Sequence, residues 1–278
     1  MILVTGATGR GGGSALAQLL DMGVAVRALA RDPRRASLPS GVDVVPGDLA
    51  DPSSLGPALD GIDSVFLVWP TIAADHAAPS VIAQIAAQAR RVVYLSANGV
   101  SPSTTEGILG SHAMMERLIE DSGVEWTFLH PTGFAANTLG WAPGIRANGV
   151  VRWFHAAARR ALIHEQDIAA VGVLALTEDR LLGQRPVLTG PTAISQLEQA
   201  ETIGRAIGRP VRFEELPDDV ARRELFPGRP AAVVDGLLAA HAAFVATPEL
   251  VNDTVPRLTG RPARTFAQWA ADHAADFQ

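Results

Sequence analysis

The chain opens Met1-Ile2-Leu3-Val4-Thr5-Gly6-Ala7-Thr8-Gly9-Arg10-Gly11-Gly12, a short apolar run that passes straight into a glycine turn. An amphipathic helical pattern from Gly12 to Met22 follows, and a second apolar run, Ala25 to Ala30, comes at the distance expected of a strand-helix-strand unit. Gly6, Gly9 and Gly12 stand three residues apart where the chain must turn tightly, and side chains there would obstruct anything held against the backbone. Exposed N–H groups at a helix start, backed by the helix dipole, bind phosphate without needing a lysine. Gly6, Thr8, Gly9, Arg10, Gly11 and Gly12 are therefore expected to wrap the pyrophosphate of a dinucleotide.

Working outward, the same alternation continues through the first half. Further strands are expected at Val42 to Val45, Ser64 to Val68, Arg91 to Leu95 and Trp126 to Leu129. Helices are expected at Ser53 to Leu59, Pro79 to Ala89 and Ser111 to Ser122, the last stopped by Gly123. This is the pattern of an α/β protein, a Rossmann-type doubly wound parallel sheet with helices on both faces. Beyond about Phe134 the alternation is lost, and helical patterns near Gln196 to Ile207 (after Ser195, a plausible N-cap), Ala231 to Val245 and Thr265 to Phe277 predict a smaller, mostly helical part. Two regions are expected: a dinucleotide-binding domain over 1–133 and a substrate lobe over 134–278, some segments of which return to the sheet.

Composition narrows the function classes. A length of 278 residues with 47% hydrophobic content is enough for a full core. The net charge of -6 supplies no concentrated positive face for nucleic acid. No apolar run approaches the roughly 20 residues of a membrane span, and no signal segment precedes the first strand, so a cytoplasmic protein is expected. Cysteine is absent, which removes disulfides and thiolate chemistry. All 23 basic residues are arginine, so lysine-dependent chemistry is excluded too, since arginine clamps anions but does not shuttle protons.

The end of the second strand bears on the cofactor. A carboxylate there suits the ribose hydroxyl of NAD, and an arginine suits the 2'-phosphate of NADP. The chain carries Arg31, with Arg34 and Arg35 behind it, and Asp32 one position later, so NADP is expected, with Arg31 as its contact.

With these residues in place the chain resembles the NmrA-like, atypical branch of the short-chain dehydrogenases/reductases, the quinone- and triphenylmethane-reductase-like group. The resemblance rests on Gly6-Ala7-Thr8-Gly9 with Arg27 to Arg31, Gly47-Asp48-Leu49, Ser122-Gly123 with Trp126 to Pro131 and Asn137, Asp167-Ile168-Ala169, and Leu188 to Pro191. It implies that Asp48 and Leu49 flank the adenine, that Val68 and Trp69 border the cofactor, and that Pro131 to Phe134 lie near the nicotinamide. Asp48 also reads as a turn-forming aspartate after a strand. The superfamily's Tyr-x-x-x-Lys pair cannot exist here: the only tyrosine, Tyr94, falls inside a strand and reads as core.

Other candidates for chemistry are Ser96, His112 and His130. Ser96 holds the strand-end position of the usual serine, where it either bonds a substrate carbonyl and the cofactor or satisfies loop backbone. His112 stands four residues before Glu116 on one helix face, where a carboxylate could orient a proton-donating imidazole. His130 ends a strand at the ligand-binding edge, where relatives often carry arginine. His164-Glu165-Gln166-Asp167 converges on no metal, and by resemblance Asp167 caps a helix. The expected activity is reduction by NADPH of an apolar conjugated or aromatic small molecule, a quinone, imine or enone, by a monomer or homodimer. A non-catalytic redox sensor acting through a protein partner and a redox-neutral isomerase or cyclase are the alternatives. Phe134, Trp141, Trp153 and Phe154 either line the substrate pocket or form a second core.

Overall fold

A computed structural model describes all 278 residues, Met1–Gln278. The alternating half forms β1 (Ile2–Val4), α1 (Arg10–Asp21), β2 (Val26–Ala30), β3 (Asp43–Pro46), α2 (Gly56–Leu59), β4 (Ser64–Leu67), α3 (Ala78–Gln88), β5 (Arg91–Leu95), α4 (Gly107–Asp121) and β6 (Glu125–Pro131). With the strand Val187–Leu188 added beyond β6, a seven-stranded sheet runs β3-β2-β1-β4-β5-β6 and outward, every neighbour parallel. β4 and β5 are buried along their whole length, which is why Ser-Val-Phe-Leu and Arg-Val-Val-Tyr-Leu read as near-continuous rather than alternating apolar runs. The one charge among them, Arg91, is 1% exposed and is neutralised by Glu125 and Asp179 and by the carbonyls of Ala175 and Glu178.

The chain divides into two compact units. The first holds Met1–Pro131, Glu165–Leu188 and Arg257–Gly260; the second holds Thr132–His164, Thr189–Pro256 and Arg261–Gln278. In the first, the helix Glu165–Thr177 is apolar on nearly every side, and a helix of that kind must be enclosed. Its Gln166 carbonyl accepts from Gln18 Nε2 of α1 at 3.0 Å, and a Cβ added at Gly172 would lie 2.5 Å from Phe66 Cε2 of β4. Glycine at that position is what allows the helix to lie so close to the sheet. Asp167, expected as a cap, lies instead inside the first turn of this helix, which already begins at Glu165. A buried carboxylate there still meets the positive end of the dipole.

Two helix starts move towards the N-terminus relative to the sequence reading. α1 begins at Arg10 rather than Gly12, and α4 at Gly107 rather than Ser111. Glycine in both added stretches weakens the helical signal, yet in each helix one glycine of the first turn has a packing reason. A Cβ at Gly110 would fall 2.5 Å from the Thr105 backbone carbon, and one at Gly12 2.4 Å from the Gly6 oxygen.

The second unit is mostly helical. Its helices Gln196–Ala206 and Phe266–Asp272 both start in capping boxes, Ser195 with Glu198 and Thr265 with Gln268, so the Ser195 cap is where its sequence puts it. The last helix is shorter than the apolar pattern suggests and ends in a 3-10 turn at Ala274–Phe277. Two strand pairs were not legible: Val150–Trp153 beside Arg212–Glu215, and Arg159–Arg160 beside Ile194–Ser195. Trp141 packs with Ile145, Trp269 and Phe277, and Phe154 packs with Leu216 and Leu238. For Trp141 and Phe154 the second-core reading holds, and half-buried Trp153 packs against both clusters, whereas half-buried Phe134 belongs to neither. No helix is long and apolar enough to cross a membrane.

Candidate functional site

The sheet order reverses direction between β1 and β4, and at such a point the loops leaving the strand ends diverge and open a crevice. Thr5 ties the two ends together, its hydroxyl accepting from Val68 N at 2.7 Å and donating to the Val68 carbonyl at 3.0 Å. The glycines that follow do three different things. Gly6 adopts φ +59°, a left-handed conformation, and a Cβ there would lie 2.9 Å from Val68 Cβ. Gly12 is fixed by the close approach of α1 to the Gly6 carbonyl, as described above. Gly9 differs, because its added Cβ would meet only the Gly6 oxygen, at 3.2 Å. The space in front of Gly9 is open, and Thr8, Gly9 and Arg10 are exposed beside it, while Gly11 and Gly12 are buried in the first turn.

Gly9 is also the N-cap of α1. That helix start has no side-chain cap and no acidic residue in its first turn. The first N–H groups of a helix have no carbonyl a turn earlier to bond, so this end keeps its positive dipole uncompensated by the protein. A cradle free of Cβ atoms in front of such a helix end fits a pyrophosphate.

Around it, the remaining residues expected at the cofactor take different places. Arg31 is exposed one residue beyond the end of β2. Asp32 is committed locally, its carboxylate accepting from Arg34 N at 3.1 Å to cap the 3-10 turn Pro33–Arg35, with Arg34 Nε 3.5 Å away. Asp48 closes its own turn, Oδ1 accepting from Ala50 N at 2.9 Å, the turn-forming arrangement. Leu49 and Trp69 are buried in the first unit's core, and the Trp69 indole N–H donates to Asp75 at 2.9 Å. Val68 stands directly against Gly6. Pro131 ends β6 as a buried residue. Phe134 belongs to the second unit, where it pairs with Ile163 and caps the 3-10 turn Ala135–Trp141.

The candidates for chemistry gather between α4 and the ends of β5 and β6. Glu116, 6% exposed, does not orient His112. One of its oxygens, Oε1, accepts from Ser96 Oγ at 2.5 Å and lies 2.7 Å from His130 Nε2, while Arg185 Nε approaches the other at 3.3 Å. Burial alone would push the Glu116 carboxyl up, but the hydrogen bonds from His130 and Ser96 outweigh it and leave it below its ordinary 4.5. Glu116 is thus an ionised, buried carboxylate. Ser96 gives its one O–H to Glu116 rather than to loop backbone.

His112, 8% exposed, turns its Nδ1 to the Tyr94 hydroxyl at 2.6 Å. Its pKa is lowered to about 4, first by burial and also by His130, against the opposing charges of Glu116 and Asp75. Tyr94, fully buried in the core as its sequence position suggests, is raised well above its usual value by burial and the Glu116 charge. At neutral pH the tyrosine keeps its proton and the imidazole is neutral; the buried hydroxyl has no acceptor other than Nδ1, so it is satisfied only by donating there. Sequence reasoning did not point to Asp75, which accepts from both Trp69 and Ser111 at 2.9 and 2.7 Å. Nor did it point to Arg185, which also pairs with Glu120 and lies 4.5 Å over the Trp126 ring. Asp75 stands 36 residues from Ser111, and Arg185 stands 69 from Glu116, and no local spacing encodes either pairing.

Comparison with known proteins agrees with this geometry. A profile of the NAD(P)H-binding family matches residues 6–179. The chain is 43% identical to the (4-alkanoyl-5-oxo-2,5-dihydrofuran-3-yl)methyl phosphate reductase of Streptomyces griseus, covering 100% of this chain and 99% of that one. It is 35% identical to the NAD(P)H azoreductase of Xenophilus azovorans, again covering 100% and 99%. Among solved structures, the NADPH-dependent quinone oxidoreductase QOR2 of Escherichia coli complexed with NADPH has the same fold, with a TM-score of 0.81 at 23% identity over 98% of this chain and 99% of that one.

Proposed function

The chain belongs to the NAD(P)H-binding family, in the NmrA-like branch of the atypical short-chain dehydrogenases/reductases, and from that premise we propose that it is an NADPH-dependent reductase of conjugated carbonyl compounds. The observation that carries the reading is the Cβ-free, uncapped start of α1 at the switch point of the sheet in a chain so similar throughout to two reductases. When bound, NADPH supplies a hydride. The backbone of Gly9 to Gly12 holds the pyrophosphate, and Arg31 takes the 2'-phosphate by a charge-assisted hydrogen bond. Asp32, occupied by its own turn, offers little to the ribose hydroxyl of NADH, which favours NADPH. Residues 1–133 carry the cofactor, and 134–278, less the segments that return to the sheet, supply the substrate lobe.

Enones are preferred within the conjugated class because the Streptomyces griseus relative is named for an alkanoyl-substituted 5-oxo-2,5-dihydrofuran, whose ring double bond is conjugated with carbonyl groups. The chain does this without a Tyr-x-x-x-Lys pair, by holding the reactants in a fixed orientation. The test is NADPH consumption in the presence of an alkanoyl butenolide methyl phosphate, a quinone and an azo dye. Turnover is expected with the butenolide foremost. Tight NADPH binding by calorimetry with no substrate-dependent oxidation of it by any of the three would overturn the reading in favour of a sensor.

A further inference from the structure

A neutral histidine held by a buried tyrosine has one useful property. Because the Tyr94 hydroxyl donates to Nδ1, the ring proton must sit on Nε2. Nε2 takes no partner within the chain, and the only buried side-chain polar atom without one belongs to His155, so Nε2 of His112 reaches solvent. His112 is in the second turn of α4, and Tyr94 is one residue from the end of β5, so the pair lies towards the carboxyl edge at which open α/β sheets bind ligands.

We propose that His112 is a neutral hydrogen-bond donor, through Nε2–H, to the oxygen on which charge collects when a conjugated carbonyl is reduced, and that Tyr94 is the positioning residue that fixes its tautomer. The inference rests on the reductase reading. In the step, the β carbon of the enone accepts the hydride, the C=C electron pair shifts towards the carbonyl, and the carbonyl pair comes to rest on oxygen. His112 keeps its proton throughout; water later protonates carbon, so one hydride and one proton are consumed. A neutral imidazole serves such an oxygen better than an imidazolium here, because the enclosure that disfavours the cation strengthens the hydrogen bond. The charged and titratable groups around the ring are Tyr94 from β5, Glu116 from α4 itself, His130 from β6 and Asp75 from the 3-10 turn Thr71–Ala77. Glu116 and His130 are bonded to one another, and Asp75 to Trp69 and Ser111, so none of these three competes for Nε2.

The test reads the histidine directly. Nitrogen-15 NMR of the NADP-bound protein is expected to show Nδ1 bare and Nε2 protonated for His112, with no titration between pH 5 and pH 8; Tyr94→Phe is expected to mix the tautomers. As a probe, 4-nitrophenolate mimics the delocalised oxyanion but accepts no hydride. Its binding should shift the Nε2 signal and weaken about 10-fold or more in His112→Ala, with NADPH affinity unchanged. In turnover, removing one oxyanion donor costs on the order of 100-fold in kcat, and the wild-type profile should stay flat where a histidine acid would lose its proton. A His112 that titrates near neutrality, or phenolate binding indifferent to His112→Ala, overturns the inference. Wild-type protein that binds phenolate as expected but oxidises no NADPH would instead sink the reductase reading alone.

Discussion

The phosphate loop and the α4 cluster lie in the same unit and are built from opposite materials. From Gly6 to Gly12 the site is backbone: three glycines, a helix end without a cap, and open space where side chains would be. From Ser96 to His130 it is side chain: a carboxylate shared by a serine, a histidine and an arginine that stand 20, 14 and 69 residues from it. A backbone site tolerates loss of affinity while the fold stands. A buried charge network is part of the fold, and damage to it is expected to appear first as instability.

That contrast can be broken most easily at Glu116. Replacing it by alanine leaves His130 and Ser96 without their acceptor and Arg185 with Glu120 alone, and breaking a buried ion pair costs about 3 to 5 kcal/mol. Urea denaturation should show that loss, with NADPH affinity of the folded fraction little changed; a full-strength fold in Glu116→Ala would show the network to be ornamental. Acid probes the same cluster without mutation. His112 is lowered in the fold from 6.5 to about 4, so its contribution is complete above pH 6.5 and is lost as pH falls towards 4, about 3 kcal/mol in all. Glu116, also lowered, adds a further loss as pH falls below its ordinary 4.5. His112→Gln should flatten the first of these two declines in a pH series of melting curves.

Gly9→Val is the mirror image. A branched side chain would fill the open space in front of the helix start, so NADPH affinity should fall by at least about 100-fold, some 2.7 kcal/mol, while stability stays near wild type. Calorimetry showing unchanged affinity would remove the loop from the site. Gly12→Val, by contrast, should unfold the loop, because the added atoms strike backbone.

Arg31→Ala is expected to weaken NADPH by about 1.5 to 3 kcal/mol and leave NADH alone, sharpening the loop's chemistry into a preference. Equal weakening of both would assign the discrimination elsewhere. Smallest of all should be Arg185→Ala, at about 1 kcal/mol of stability, since its head is partly exposed and Glu116 keeps Ser96 and His130 as donors. A loss as large as that of Glu116→Ala would mean that the arginine, rather than His130, holds the carboxylate.

The sequence by itself determined the strand and helix alternation, the three-glycine turn, the arginine after β2, the burial of Tyr94 and the cap at Ser195. Each of these is written in neighbours a few residues apart, where backbone conformation and periodicity are decided. It named Ser96, His112, Glu116 and His130 as candidates but paired them wrongly, because the i,i+4 spacing on α4 makes His112 and Glu116 neighbours without saying which way either side chain turns. Only the tertiary structure decided that, by setting β5 and β6 against α4: the ionised carboxylate found the donors of Ser96 and His130, and the histidine was left to the tyrosine. The physical reason is desolvation. A buried charge must be satisfied by whatever donors the packing brings to it, and which donors those are depends on strands far apart in the chain.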